Sequence, residues 1–301
     1  MTWYLEIGYI TGFNHISMNM LIGGLTNAGL KYNRHSALFN NLYQVLPRYI
    51  VDYQAREIAN TFNGLAKMGV EWRKLSADLK RVLSASVSRE APRFNAQDVA
   101  NIHNGLAKMG VEWRDLSVDL KRELLTSVRR EATRFNAQEI VNTLNGLARM
   151  GVDWRDLSAD LKNALLVNVD REVSRFNAQD VANTLNGLAK MGLEWHDLSA
   201  DLKRELLTSV RREATRFNAQ EIVNTLNGLA RMGVDWRDLS ADLKRELLAS
   251  VKREATRFNA QDVANTFNGL AKMGVEWRDL SANLKNVLLA SVERATTRFN
   301  G

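Results

Sequence analysis

The sequence predicts an all-α chain, an α-solenoid of tandem 41-residue, two-helix repeats forming a superhelix, and three observations predict it. Tryptophan recurs as Trp72, Trp113, Trp154, Trp195, Trp236 and Trp277, 41 residues apart each time. A fixed period of roughly 20–50 residues marks stacked repeats, in which each unit buries its apolar face only against its neighbours. Within each period two stretches carry apolar residues at helical spacing, and the whole chain holds only two prolines, Pro47 and Pro92, which suits uninterrupted helices. The copies are close: Lys121 to Lys162 recurs unchanged as Lys203 to Lys244.

The repeat starting at Phe176 serves as the pattern. Asn177 is a good N-cap, with Asp180 three residues on as the acid of a capping box. Val181, Ala182, Leu185, Leu188 and Ala189 form one apolar face of a first helix, and Gly192 stands where a left-handed residue ends it. A second helix is predicted from near Asp197 or Ser199 to about Ala214, with Leu198, Leu202, Leu206 and Val210 as its buried stripe. Trp195, in the connection, is expected to wedge the two helices together rather than to serve as a stacking platform.

On this pattern the regular repeats are 53–93, 94–134, 135–175, 176–216, 217–257 and 258–298. Residues 1–52 read as a degenerate N-terminal capping repeat, since Gly24-Leu25 and Gly29 fall where Gly146-Leu147 and Gly151 stand. Residues 299–301 repeat the opening of a further copy, or mark the chain end. The last repeat therefore looks uncapped, and self-association through it is one expectation.

Composition narrows the function. The formal charge is +7, but it concentrates in residues 53–93, where eight Lys and Arg face four Asp and Glu, while the later repeats are nearly neutral. Phosphate binding would have to come from local placement of cations rather than from a basic body. There is no cysteine, and the four histidines share no repeat position, so no metal ligand set or thiol nucleophile is expected. With no nucleophile–base pair and no phosphate loop, the chain reads as a non-enzyme without a cofactor. No apolar run approaches a membrane span. The absence of cysteine and of a basic leader favours a reducing compartment, the cytoplasm or an organelle or host cytosol.

The candidate interface is the polar face of the first helices. At 100° per residue, Gln179, Asn183, Asn186, Gly187 and Lys190 fall together opposite the apolar face. Stacking would repeat them as three rows. The first amide row is Asn60, Asn101, Asn142, Asn183, Asn224 and Asn265; the second is Asn63, Asn104, Asn145, Asn186, Asn227 and Asn268. The basic row is Lys67, Lys108, Arg149, Lys190, Arg231 and Lys272. Asn and Gly are poor residues inside a helix, so their return in every copy needs a reason. One reason is a ligand: amides read base edges, glycine admits close approach and cations hold phosphate. The other is structural, with the first Asn bonding a neighbouring backbone and Gly187 permitting tight helix packing. Arg211, Arg212 and Arg216, close to Glu205 and Glu213, read as a solvated outer face.

The run from Ala182 to Gly192, ANTLNGLAKMG, followed by Glu194-Trp195, resembles the octotricopeptide repeat and the helical repeats beside the RAP domain in FAST-kinase-like proteins. The resemblance covers six repeats strongly and residues 13–32 faintly. It differs in placing Asn186 where the family carries a tryptophan. It implies an α-solenoid that binds RNA in organelles or bacteria, about one nucleotide per repeat. The reading is a non-catalytic binder of single-stranded RNA, contacting on the order of six or seven nucleotides with weak or repetitive sequence preference. A protein–protein scaffold using the same face is the alternative, and a DNA-binding array the third.

Overall fold

In the computed structural model, which describes residues 13–297, each 41-residue period folds as two α-helices joined by a short 3₁₀ turn, and no strand occurs among the described residues. The first helices are Ala55–Lys67, Ala96–Lys108, Ala137–Met150, Ala178–Lys190, Ala219–Arg231 and Ala260–Lys272. The second helices are Ala77–Glu90, Val118–Glu131, Ala159–Glu172, Ala200–Glu213, Ala241–Glu254 and Ala282–Thr297. Helices His15–Asn27, Ser36–Val45 and Pro47–Ile50 precede them. The chain divides into two compact units, each treated by itself: a first unit up to Val152 that also holds Ala159–Asn168, and a second made of Asp153–Ser158 and the chain from Val169.

Local chemistry sets the helix ends. The Asn177 side chain accepts the Asp180 amide at 3.0 Å, and Asp180 returns the bond to the Asn177 amide at 3.2 Å. The same reciprocal box opens the first helices at Asn95, Asn136, Asn218 and Asn259. Each first helix ends before a glycine in the left-handed region, φ +85° at Gly192, a conformation closed to most L side chains. Ser199 then caps the second helix by accepting the Leu202 amide at 3.1 Å. Leu198, Leu202, Leu206 and Val210 are all buried, each contributing roughly 1.5–3 kcal/mol.

Repeats are joined by a small set of bonds that recur. The turn tryptophan donates its backbone N–H to the carbonyl of the methionine closing the next first helix: Trp72 to Met109 at 2.8 Å in the first unit, Trp195 to Met232 and Trp236 to Met273 at 2.7 Å in the second. Tyr32 does the same to Met68 at 2.9 Å. The backbone, more than the indole, makes this joint. Trp154 is buried, Trp72, Trp113, Trp195 and Trp236 are half-buried and Trp277 is 42% exposed, and the Trp72 and Trp277 rings lie 6.3 and 6.0 Å from Phe62 and Phe267 of their own first helices.

One correction concerns the arginine cluster. Glu213 is only 3% exposed, so it cannot belong to a solvated face. Arg212 Nε lies 2.9 Å from it and Arg216 Nη1 3.4 Å, while Arg212 Nη2 donates to the Phe176 carbonyl at 2.5 Å. Glu254, Arg253, Arg257 and Phe217 repeat the arrangement. A buried carboxylate needs such pairing to offset its desolvation. Ser209 and Ser250 add bonds from the second helix to the Val173 and Ala214 carbonyls before it. In the first unit Asn168 stands in that place and reaches both the Ala132 and Phe135 carbonyls. Arg211 and Arg216 remain exposed as expected, Arg211 pairing with Asp242 at 3.2 Å.

Candidate nucleic-acid interface

Within each unit the first helices lie directly side by side, and glycine makes that possible. A Cβ at Gly146 would come within 2.8 Å of the His103 carbonyl carbon and oxygen, and one at Gly228 within 2.8 Å of the Leu185 carbonyl carbon. Gly105 faces Phe62 in the same way, at 2.9 Å from its Cβ. The glycine grouped with the amides in the sequence therefore faces the preceding helix, not an external ligand. On the helix this glycine lies 100° round from the second amide, and at Gly146 and Gly228 that step takes it off the open face and into the seam. Of the two readings of this residue, tight packing is the one the geometry supports.

The remaining members form the open stripe, spaced four, three and four residues apart. In the first amide row Asn60 is exposed, and Asn101, Asn142, Asn183, Asn224 and Asn265 are half-buried. Asn63, Asn104, Asn145 and Asn227 of the second row are half-buried, Asn268 is exposed, and Asn186 is only 9% exposed and so less available. Among the described residues no side chain of the first row bonds a neighbouring backbone. Asn224 and Asn265 instead accept from Gln220 and Gln261, one turn back on their own helices, at 3.1 and 3.0 Å. Among the described residues a cross-helix rung is seen at the start, where Asn19 donates to the Glu57 carbonyl at 2.8 Å.

All six basic residues, Lys67, Lys108, Arg149, Lys190, Arg231 and Lys272, are exposed. In the first unit three of them interact: the Lys108 ammonium is held below the usual lysine range, first by partial desolvation and then by the charges of Arg149 and Lys67. The acid at the start of the connecting turn is held by an arginine of its own turn in most repeats. Glu71 pairs with Arg73 at 2.6 Å, Glu112 with Arg114 at 2.5 Å, and Asp153 with Arg155 at 2.7 Å. Asp235 and Arg237 pair likewise at 2.6 Å. Among the described residues, Lys67, Lys108, Arg149, Arg231 and Lys272 form no ion pair. The arrangement offers amide donors and acceptors beside uncompensated positive charge, which suits an extended anion.

Other places offer less. A cleft of the first unit near Val51, Arg56, Arg93 and Asp98 is lined by both signs of charge, and Arg89 and Arg93 are already committed to Glu90. Among the described residues no group of three or more His, Asp or Glu could hold a metal ion, and no helix is long and apolar enough to cross a membrane. His103, which the sequence treats as one unremarked histidine of four, is fully buried in the helix seam. Its position is that of Leu144, Leu185 and Leu226 in later copies, a register that could have drawn attention to it.

Comparison with known proteins is consistent with tandem repeats. No curated protein matches the chain. Among solved structures it is similar to a designed armadillo repeat protein, YIII(Dq)4CqI, at 14% identity over 73% of this chain and 94% of that one, with a TM-score of 0.24, a likeness too slight to decide anything. The family described as "Protein of unknown function (DUF1601)" matches residues 68–102, 109–144, 150–185, 191–226, 232–267 and 273–301. Its unit begins at the methionine closing a first helix and, in the five complete matches, runs through the second helix into the next first helix. It is thus centred on the junction that the tryptophan, serine and arginine bonds hold. A tandem helical-repeat scaffold matched over most of its length in this way belongs to the DUF1601 family.

Proposed function

We propose that the protein is a non-catalytic binder of single-stranded RNA, held along the open stripe of the first helices. The observation that carries this reading is the row Lys67, Lys108 and Arg149, three exposed cations close enough to oppose one another's charge and left without carboxylate partners. Keeping like charges together has a cost, and a phosphate backbone relieves it. The half-buried amides beside them supply hydrogen-bonding groups for unstacked bases, as single-stranded recognition requires. The resemblance of the first-helix motif to octotricopeptide repeats points the same way.

Fluorescence anisotropy with labelled single-stranded RNA at low and physiological salt tests it. Binding should weaken steeply with salt, by a log–log slope of roughly −0.7 per phosphate contact. The variant Lys67→Gln, Lys108→Gln, Arg149→Gln should keep its helical circular dichroism and lose about two units of that slope. A well-folded variant that binds with the parent's affinity and slope sinks the assignment of the row. No binding of any RNA at low salt sinks the reading itself and turns attention to a protein partner.

A further inference from the structure

The basic row is not uniform. From repeat 94–134 onward, three positions alternate together. Asp98, Lys108 and Glu112 are followed by Glu139, Arg149 and Asp153, then Asp180, Lys190 and Glu194, then Glu221, Arg231 and Asp235, then Asp262, Lys272 and Glu276. The first acid is the capping-box partner, spent on the helix N-terminus, and the last is held within its turn. The variation left open to a ligand is lysine against arginine. Each unit accordingly presents one arginine in the row, Arg149 in the first and Arg231 in the second, with lysine in the repeat before it.

These two arginines differ from the other arginines around them. Arg155 and Arg237, a turn away in sequence, grip Asp153 and Asp235 through two guanidinium nitrogens each, and Arg212 and Arg253 are tied to glutamate and to backbone carbonyl. Arg149 and Arg231 are exposed and make no ion pair among the described residues. A free planar guanidinium offers paired N–H donors in a fixed fork, which fits two acceptors side by side. Among the bases guanine presents that pair, O6 with N7. A lysine ammonium is a point charge and serves phosphate without choosing a base. Four and seven residues before each arginine on the same face stand Asn145 and Asn142, or Asn227 and Asn224. They return in every copy and so cannot distinguish one position from the next.

We infer that, on the single-stranded-RNA reading above, the stripe of each unit prefers a dinucleotide that contains guanine, the guanine seated on Arg149 in the first unit or on Arg231 in the second and the neighbouring nucleotide held through phosphate by the lysine of the repeat before. The recognised unit is then a dinucleotide, matching two repeats rather than one.

The test compares alternating guanine–uracil, cytosine–uracil and adenine–uracil RNAs of equal length, none with secondary structure, by anisotropy at one salt concentration. The guanine–uracil RNA should bind tighter than the other two by roughly tenfold, the low end of what bidentate arginine–guanine pairs supply. The double variant Arg149→Lys, Arg231→Lys keeps every charge; it should erase that preference, so that the variant binds guanine–uracil RNA no tighter than it binds cytosine–uracil RNA. Equal, salt-sensitive binding of all three RNAs by the parent protein overturns the dinucleotide inference and leaves the RNA reading standing. A guanine preference that survives in the double variant overturns the assignment to arginine. Absence of binding to all three at low salt removes both.

Discussion

Lowering the pH from 7 to 4 is expected to cost the protein roughly 3 kcal/mol of stability through His103, taking about 1.4 kcal/mol for each unit by which its pKa is displaced. His103 is fully buried, its Nδ1 lies 2.8 Å from the Val99 carbonyl, and its Nε2 finds no partner among the described residues. Burial pushes the imidazole pKa down from 6.5 to about 4, partly opposed by the Val99 bond. The direction of the effect follows from the two states. Above pH 6.5 neither the folded nor the unfolded chain holds the proton, and His103 adds no pH dependence. As the pH falls from 6.5 to 4 the unfolded chain takes up a proton that the folded chain refuses, so stability is lost across that window and levels off below it. Burial acts in the opposite sense on Asp98 and Asp180, whose carboxyl pKa values it raises. The measurement must therefore be differential. Urea melts of the protein and of His103→Leu at pH 7 and pH 4 should show the variant keeping the stability that the parent loses. Leucine fills the same position in three later repeats, so it should be accommodated. An equal acid loss in both proteins would remove His103 from the account.

The second large effect belongs to the glycine in the seam, and its sign should change along the chain. Gly146→Ala places a methyl group 2.8 Å from the His103 backbone, which cannot turn aside as a flexible side chain can. Overpacking of this kind costs roughly 1–3 kcal/mol, more than the gain of about 1 kcal/mol in helix propensity. Gly146→Ala and Gly228→Ala should both lower the urea midpoint. At Gly269 the added carbon would stand 3.4 Å from its nearest neighbour on Leu226, ordinary contact distance. Gly269→Ala should therefore raise the midpoint by the propensity term alone. Shifts of the same sign at Gly146 and Gly269 would show that the seam is not set by close backbone approach.

The repeat architecture was legible in the sequence because its determinants are local. Asn177 and Asp180 are three residues apart, Gly192 follows its helix at once, and Leu198, Leu202, Leu206 and Val210 need only the helical period to share a face. The predicted second helix, from near Asp197 or Ser199 to about Ala214, lies close to the observed Ala200–Glu213. What escaped reading depends on partners a period away. Glu213 looks solvated because its arginines are near in sequence, yet what buries it is the junction, where Arg212 reaches the Phe176 carbonyl 36 residues back. The glycine was grouped with the amides because a helical wheel shows angles and not the neighbouring helix that fills one of them. For the stripe, residue identity and approximate facing could be read from the wheel. Burial could not, as Asn186 illustrates beside its more open counterparts Asn145 and Asn227.

The joints between repeats have a consequence for how the chain emerges during synthesis. In the second unit the Trp195 N–H bonds Met232, a residue 37 positions later, and the Ala214 carbonyl is met by Ser250, 36 positions later. A repeat leaving the ribosome thus has an unfinished turn and an unpinned exit until the next has been made, an interval of roughly 2–8 s at 5–20 residues per second. Completion advances as a front from the N-terminal side, always about one period behind the growing end. A stalled or truncated product would carry its loose repeat at that end, whatever the length already made.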